Sequence, residues 1–312
     1  MNELLYIVED SLTGLLTGGI YALMAVGMVL VFKATRVVNF AHGTIMMVGT
    51  YFFFSFSFSQ VFSEYSYVGA TQAAMVGSVS SYTYSDQGLF QNPASIAGFK
   101  GNIIVAGQAN LFNQSYLPYR HFGLIYDIPI MGQIGLSYQS FSTEYNGVKL
   151  SSENSLSISK GVFLQKDKNS SLALGYRVNI LSWEQAESSG ATGDGSDGFS
   201  SGQGTALGLD FGIIGGLRDK YWVGGYLSNI NSPIIEGQNL PRKISISLGF
   251  SPLEQVYTNL SMERLLGRSD RQVKLGLRYD IDSKFSLLSG VQSNPNRFGL
   301  GVEYKLSRLI LS

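Results

Sequence analysis

The chain has 312 residues, with 22 Lys plus Arg balanced by 22 Asp plus Glu, so its formal net charge is zero. Charged residues make up 14%, well below the ~25% of soluble domains, and the lack of a basic excess argues against a nucleic-acid partner. With no cysteine and only His42 and His121 as histidines, disulfides and thiolate sites are excluded and an ordinary zinc site is disfavoured.

In chain order, the first predicted element is an apolar helix over Leu12–Phe32, free of charge and long enough to cross a bilayer. Lys33 and Arg36 follow it, and by the positive-inside rule that end faces the cytoplasm. Gly14, Gly18, Gly19 and Gly27 suit close packing on a partner helix. The alternative is a buried soluble helix. Gly18-Gly19-Ile20-Tyr21-Ala22-Leu23, followed by Val37-Val38 and Asn39-Phe40-Ala41-His42-Gly43, resembles the start of the branched-chain amino-acid ABC-transporter permeases. The resemblance covers about the first fifty residues. It implies ancestry for that segment, because no further long apolar helices follow Phe58.

Tyr51–Ser63 is rich in phenylalanine and ends in small residues before Gln60, like the apolar core and cleavage site of a secretory signal peptide. The expected organisation is a fusion with its junction near Gly49–Phe53: a permease-like segment (1–50), a signal-peptide-like linker (51–66) and a barrel protein beyond. A second short membrane segment is the alternative for the linker.

Residues 67–101 carry small residues (Gly69, Ala70, Ala73, Ala74, Gly77), then Asp86-Gln87-Gly88 and Gln91-Asn92-Pro93-Ala94-Ser95-Ile96-Ala97-Gly98. Proline has no ladder donor, so a strand core cannot host Asn92-Pro93. A short helix or plug followed by a turn is predicted. Asn92, Pro93, Ala94 and Gly98 resemble the N-terminal hatch of outer-membrane barrels of the FadL superfamily, closest to its PorV/PorQ branch; an ordinary turn is the alternative. That resemblance implies a hatch inside a barrel. It further implies transport of apolar compounds, or a type IX secretion component that holds exported proteins at the cell surface.

From Asn102 to Ser312 the pattern is β. In Arg271–Ile281, the apolar Val273, Leu275, Leu277, Tyr279 and Ile281 alternate with Lys274, Gly276, Arg278 and Asp280, which only a strand sorts onto two faces. The same alternation runs through Leu172–Ile180, Leu207–Ile213, Ile244–Phe250 and Phe298–Leu306. Segments of ~10 residues of this kind are the signature of a transmembrane barrel. Thirty-seven glycines with 18 Tyr and 19 Phe fit it. Arg177, Asp210, Lys274, Arg278 and Glu303 lie opposite the apolar positions, so they are predicted to face the lumen, since lipid-facing charge is costly. On this reading Gly175 and Lys274 should accept Arg more readily than Leu174 or Leu275.

Tight charged turns at 166–170, 218–220 and 280–283 contrast with a long polar loop between Trp183 and Thr205, placed outside by the rule that external loops are the long ones. Asp194-Gly195-Ser196-Asp197-Gly198 fails the acidic spacing of an EF-hand. About twelve or thirteen strands are predicted, and Leu306–Ser312 reads as a further strand cut short at the C-terminus. No G-x-S-x-G elbow, P-loop or complete G-x-G-x-x-G precedes a helix, so a non-enzyme without cofactor is expected. The expected fold is mainly β: an antiparallel transmembrane β-barrel after a hydrophobic α-helical segment. Its expected partners are membrane lipid and apolar small molecules or secreted proteins. Its expected place is the outer membrane, or the inner membrane if the N-terminal segment dominates targeting. A soluble all-β binding module is the remaining class, because alternating strands also build sandwiches.

Overall fold

A computed structural model describes residues 68–312 apart from 82–85, 112–113, 130, 146, 188–197, 199, 268–270, 307–308 and 312. These belong to the second of two compact units, residues 59–312. The predicted helix at Leu12–Phe32, the Asn39–Gly43 motif and the Tyr51–Ser63 stretch lie outside the described residues, as does most of the Asp194–Gly198 loop.

Helix α1 (Gly69–Ala74) and two 3-10 helices, Asp86–Leu89 and Pro93–Gly98, precede the strands. The strands are β1 (Ile103–Asn110), β2 (Pro118–Ile128), β3 (Gly132–Tyr145), β4 (Val148–Lys166), β5 (Ser170–Gln185), β6 (Gly202–Leu217) and β7 (Tyr221–Ser228). After the two-residue strands β8 (Ile234–Ile235) and β9 (Gln238–Asn239) come β10 (Lys243–Leu253), β11 (Val256–Leu265) and β12 (Arg271–Asp280). The last are β13 (Phe285–Gln292), β14 (Arg297–Leu306) and β15 (Leu309–Leu311). Thirteen of them form one antiparallel sheet in which each strand pairs with its sequence neighbour, β7 passing directly to β10; β8 and β9 pair only with each other.

At one end the connections are all short, among them 129–131, 167–169, 218–220, 254–255 and 281–284; at the other they range from 146–147, 293–296 and 266–270 to 111–117, the loop 186–201 and the insertion 229–242 that carries β8 and β9. Short periplasmic turns and longer external loops set the orientation of such barrels. The β6–β7 turn shows how it is made so tight. Arg218 and Asp219 both hold positive φ (55° and 49°), and Lys220 N donates to Leu217 O at 3.1 Å, the mirror-image turn that matches strand twist. The long loop is shorter than predicted. Glu184 and Gln185 extend β5, and Gly202–Gly204 begin β6, because Gln185 pairs with Gly202 and Trp183 with Gly204.

Burial in the sheet is inverted relative to a soluble protein. On β5 Tyr176 and Ile180 are exposed while Arg177 and Asn179 between them are buried. On β4, Leu156 and Ile158 are exposed between the buried Ser155, Ser157 and Ser159. Apolar residues outward and polar residues inward suit a wall immersed in lipid. Outward aromatics Tyr126, Tyr221, Phe250, Tyr279 and Tyr304 gather at the short-turn end, with Tyr221 stacked on Phe250 at 5.1 Å, as in an interfacial girdle.

Candidate functional site

Residues 68–81 and 86–99 lie against the inside of this wall. Leu89 stands against Gly123 and Gly135 on β2 and β3, and Ala94 against Gly175 on β5. Ser80 and Ser81 lie against Gly224 on β7, Met75 against Gly290 on β13, and Ala74 against Gly299 on β14. One short segment touches strands from β2 round to β14 because the sheet wraps around it. The closeness of the approach decides the residue type. A β-carbon on Gly175 would stand 2.1 Å from the Ala94 amide nitrogen, and one on Gly212 2.0 Å from Asn92 Oδ1, so the hatch backbone lies directly on the wall.

Asn92 joins the two. Its Oδ1 accepts from Ala94 N at 3.1 Å and caps the 3-10 helix that Pro93 opens. Its Nδ2 reaches Ser80 O at 2.8 Å within the hatch, and Ile213 O and Gly225 O on β6 and β7 at 3.2 Å each. Pro93, Ala94 and Gly98 are buried beside it. The motif is thus a capped 3-10 helix pressed on β5 and β6.

Arg177 supplies the second anchor. It faces Asp210 across the β5–β6 register, and its Nε and Nη2 donate to Asp210 Oδ2 at 2.9 and 2.6 Å. Tyr226 OH donates to the same oxygen at 3.1 Å. Asn229 N and Ser228 Oγ donate to Asp210 Oδ1 at 2.9 and 3.1 Å. With its charge balanced, the guanidinium extends Nη1 to Leu89 O in the hatch at 3.0 Å, where Ser137 Oγ also donates at 3.0 Å. A buried ion pair is tolerable only when its remaining donors and acceptors are satisfied, and this one is.

The other predicted inward charges form separate pairs. Arg278 binds Glu303 through Nη2 at 2.7 Å and Nη1 at 3.2 Å, with Asp280 at 2.9 Å on Nε. Lys274 lies 3.2 Å from Glu263, which also faces Lys243 at 3.8 Å. Arg177, Asp210, Lys274, Arg278 and Glu303 all lie on the inner face, each at most 5% exposed. They do not converge on one site. Sequence reasoning missed Glu263, Tyr226 and the inward serine rows. The Ser155-Leu156-Ser157-Ile158-Ser159 alternation is the signal that could have revealed those rows.

One expectation fails: Gly175 and Lys274 are predicted to accept Arg readily, yet the Ala94 backbone stands where a side chain on Gly175 would go and Lys274 is 1% exposed. Between Ala94, Ser95, Phe163, Ala173 and Ile214 the free space is about 10 Å³, at best room for a single water. Toward the long-loop end the inner surface turns apolar. Ile235 and Leu240 from the 229–242 insertion pack on Leu181, with Trp183 and Ala206 beside them. A more open cavity of about 490 Å³ lies at the same end, lined by Lys149, Ser152, Glu184 and Gln203 among others.

Comparison with known proteins places the wall and hatch in a recognised fold. The toluene transporter TbuX of Ralstonia pickettii superposes with a TM-score of 0.52 at 12% identity, covering 78% of this chain and 91% of that one. The toluene transporter TodX of Pseudomonas putida gives 0.51 at 12% identity, over 78% and 90%. These likenesses show a shared fold. A different family matches the N-terminal part: "Branched-chain amino acid transport system / permease component", over residues 11–120. The permease protein BraD of Pseudomonas aeruginosa is 37% identical over 54 residues, which is 17% of this chain and 18% of that protein. The chain therefore spans under a fifth of that relative. Within the permease match, residues 68–120 include the hatch, β1 and the start of β2.

Proposed function

We propose that residues 67–312 form an outer-membrane conduit for small apolar compounds, gated by the Asn92-centred hatch. The observation that carries this reading is a wall with an apolar outer face wrapped around a segment held by a few identifiable bonds, in a fold shared with toluene transporters. The apolar surface of Leu181, Trp183, Ile235 and Leu240 at the external mouth supports it. The test uses cells expressing the full chain and a hydrophobic dye that an intact outer leaflet excludes. Dye uptake should rise above that of cells without the protein, and Asn92→Ala, which loosens the hatch, should raise it further. Full chain in the outer membrane with no gain in uptake, in wild type and Asn92→Ala alike, would defeat the reading.

The tight seal at the hatch favours a second reading. A plugged barrel of the PorV/PorQ kind would serve as a type IX secretion component and hold exported proteins outside. That reading expects such proteins to co-purify with the full chain while dye uptake stays flat. For the N-terminal part we propose the fusion described above, in which residues 1–50 are a permease-derived segment and 51–66 a signal-peptide-like linker; the permease match supports it. Genomic DNA across codons 45 to 60 tests the fusion. Recovery of the full chain in the inner-membrane fraction would favour the permease alternative.

A further inference from the structure

Strand β6 is paired unequally on its two sides. Against β5 it is paired along its whole length, from Gly202 opposite Gln185 to Leu217 opposite Ser170. Against β7 the pairing begins only at Phe211, opposite Leu227. Beyond Ser228 the chain leaves the sheet, with positive φ at Asn229 and Ser232 (55° and 51°). Asn229 N is held by Asp210 at 2.9 Å, and Ile235 of the insertion lies against Gly204 on the inner face. Strands β8 and β9 pair only with each other, so the insertion lies over the sheet without extending it.

The long-loop end of β6 is therefore a sheet edge. Part of it is filled by a side chain that imitates a peptide group. Asn231 Oδ1 accepts from Leu209 N at 2.9 Å, and its Nδ2 donates to Leu207 O at 2.6 Å. Ile230 N donates to Leu209 O at 2.9 Å. Backbone groups alternate in direction along a strand, and the β5–β6 register runs without a shift. Thr205 and Gln203 thus turn their N–H and C=O to the same side as Leu207 and Leu209. Among the described residues no backbone group pairs with them there. Sheet edges are commonly blunted by lysine, proline or a bulge, and Gln203–Leu207 has none of these. An extended backbone offers the donors and acceptors such an edge needs. Charge narrows the occupant. Glu184 stands opposite Gln203 on the outer side, met by Lys149 at 3.8 Å in solvent. Glu236 lies on the inner side, its Cγ 3.6 Å from where a β-carbon on Gly204 would stand. A second copy of this chain would set the same carboxylates against each other, whereas a basic segment would meet them with opposite charge.

We propose that the β6 edge from Gln203 to Leu207 binds an extended basic segment of a protein outside the cell by strand addition. The segment continues the β5–β6 sheet past the end of β7, with its cationic side chains turned to Glu184 and Glu236. The proposal rests on the reading in which exported proteins are held at the surface, and it names the place of contact.

The experiment uses the full chain in neutral detergent and a short fluorescent threonine peptide with two adjacent lysines at its centre, which a strand turns to opposite faces. Wild type should bind it at least about tenfold more tightly than the same peptide N-methylated at alternate backbone nitrogens. That form keeps the charge and loses the ladder. A peptide with glutamates for the lysines should bind as weakly. Thr205→Pro removes an edge N–H that β5 does not use, and it should abolish the preference. Equal binding of the parent and N-methylated peptides would overturn the proposal, as would a preference that survives Thr205→Pro. Should Thr205→Pro fail to fold, hydrogen exchange on wild type decides: the peptide should slow exchange at the Gln203 and Thr205 amides, and binding without that protection would sink the edge. Exported proteins that co-purify equally with wild type and Thr205→Pro would overturn the edge and leave the exported-protein reading standing. Peptide binding as expected, with no exported protein co-purifying, would uphold the edge and defeat that reading.

Discussion

Along β12, Val273, Leu275, Leu277 and Tyr279 turn outward and remain 39–47% exposed, whereas Lys274, Gly276 and Arg278 turn inward and are shut off from solvent. Both faces belong to the same ten residues, yet they obey different rules. The outer face answers to a solvent, the hydrocarbon, which is indifferent to shape and intolerant of charge. The inner face answers to a solid, the hatch, which accepts paired charges and has no tolerance for added volume. Polarity decides outside and geometry decides inside.

Substitutions can sharpen or break this contrast. The largest effect is expected from Gly175→Arg. The Ala94 backbone occupies the space a β-carbon needs, so the cost should exceed the ~1–3 kcal/mol of ordinary overpacking. Refolding into bilayers should fail or the hatch should be expelled, seen as protease access to residues 68–99. A Gly175→Arg barrel as stable as wild type would show that the hatch does not press on the wall. Asp210→Ala comes next: it strands a buried Arg177 and should cost ~3–5 kcal/mol in urea titrations of the refolded protein. Asp210→Ala combined with Arg177→Met should recover much of that loss.

On the outer face, Leu275→Arg puts charge into hydrocarbon and should cost ~2–4 kcal/mol, while Leu275→Val should cost less than ~1.5 kcal/mol. Equal penalties for the two would mean that the outer face is packed against protein. The smallest effect lies in the β12–β13 turn, outside the membrane-spanning part. Asp282 accepts from the Lys284 and Phe285 amides at 2.6 and 2.7 Å, and these bonds hold its pKa below the ordinary carboxylate value. Because the folded pKa is the lower one, the contribution is present above the unfolded pKa near ~4. It fades as pH falls through the folded value. Asp282→Ala should therefore lower thermal stability slightly at neutral pH and leave it unchanged in strong acid. A loss that persists in acid would point to a role other than this cap.

Much of the wall was legible in the chain. Period-two alternation places Leu174 outward and Arg177 inward whatever surrounds them, because successive side chains on a strand leave opposite faces. The positive-φ turn at Arg218–Asp219 sits in a charged triplet whose brevity allows only a hairpin. Strand ends were less legible. Gln185 and Gly202 look like loop, and only their mutual pairing draws them into β5 and β6.

What the sequence by itself determined is the two-faced wall, since it follows from the polarity of each residue and its parity along a strand. Which inward residues meet was decided by tertiary structure alone. Arg177 reaches Leu89 from 88 positions away, and Asn92 reaches Gly225 from 133. Register, curvature and the path of the hatch bring them together, and none of these is written in local pattern. Gly175 shows the limit most clearly: its own neighbours say strand, and only the hatch backbone lying on it explains why no side chain fits there.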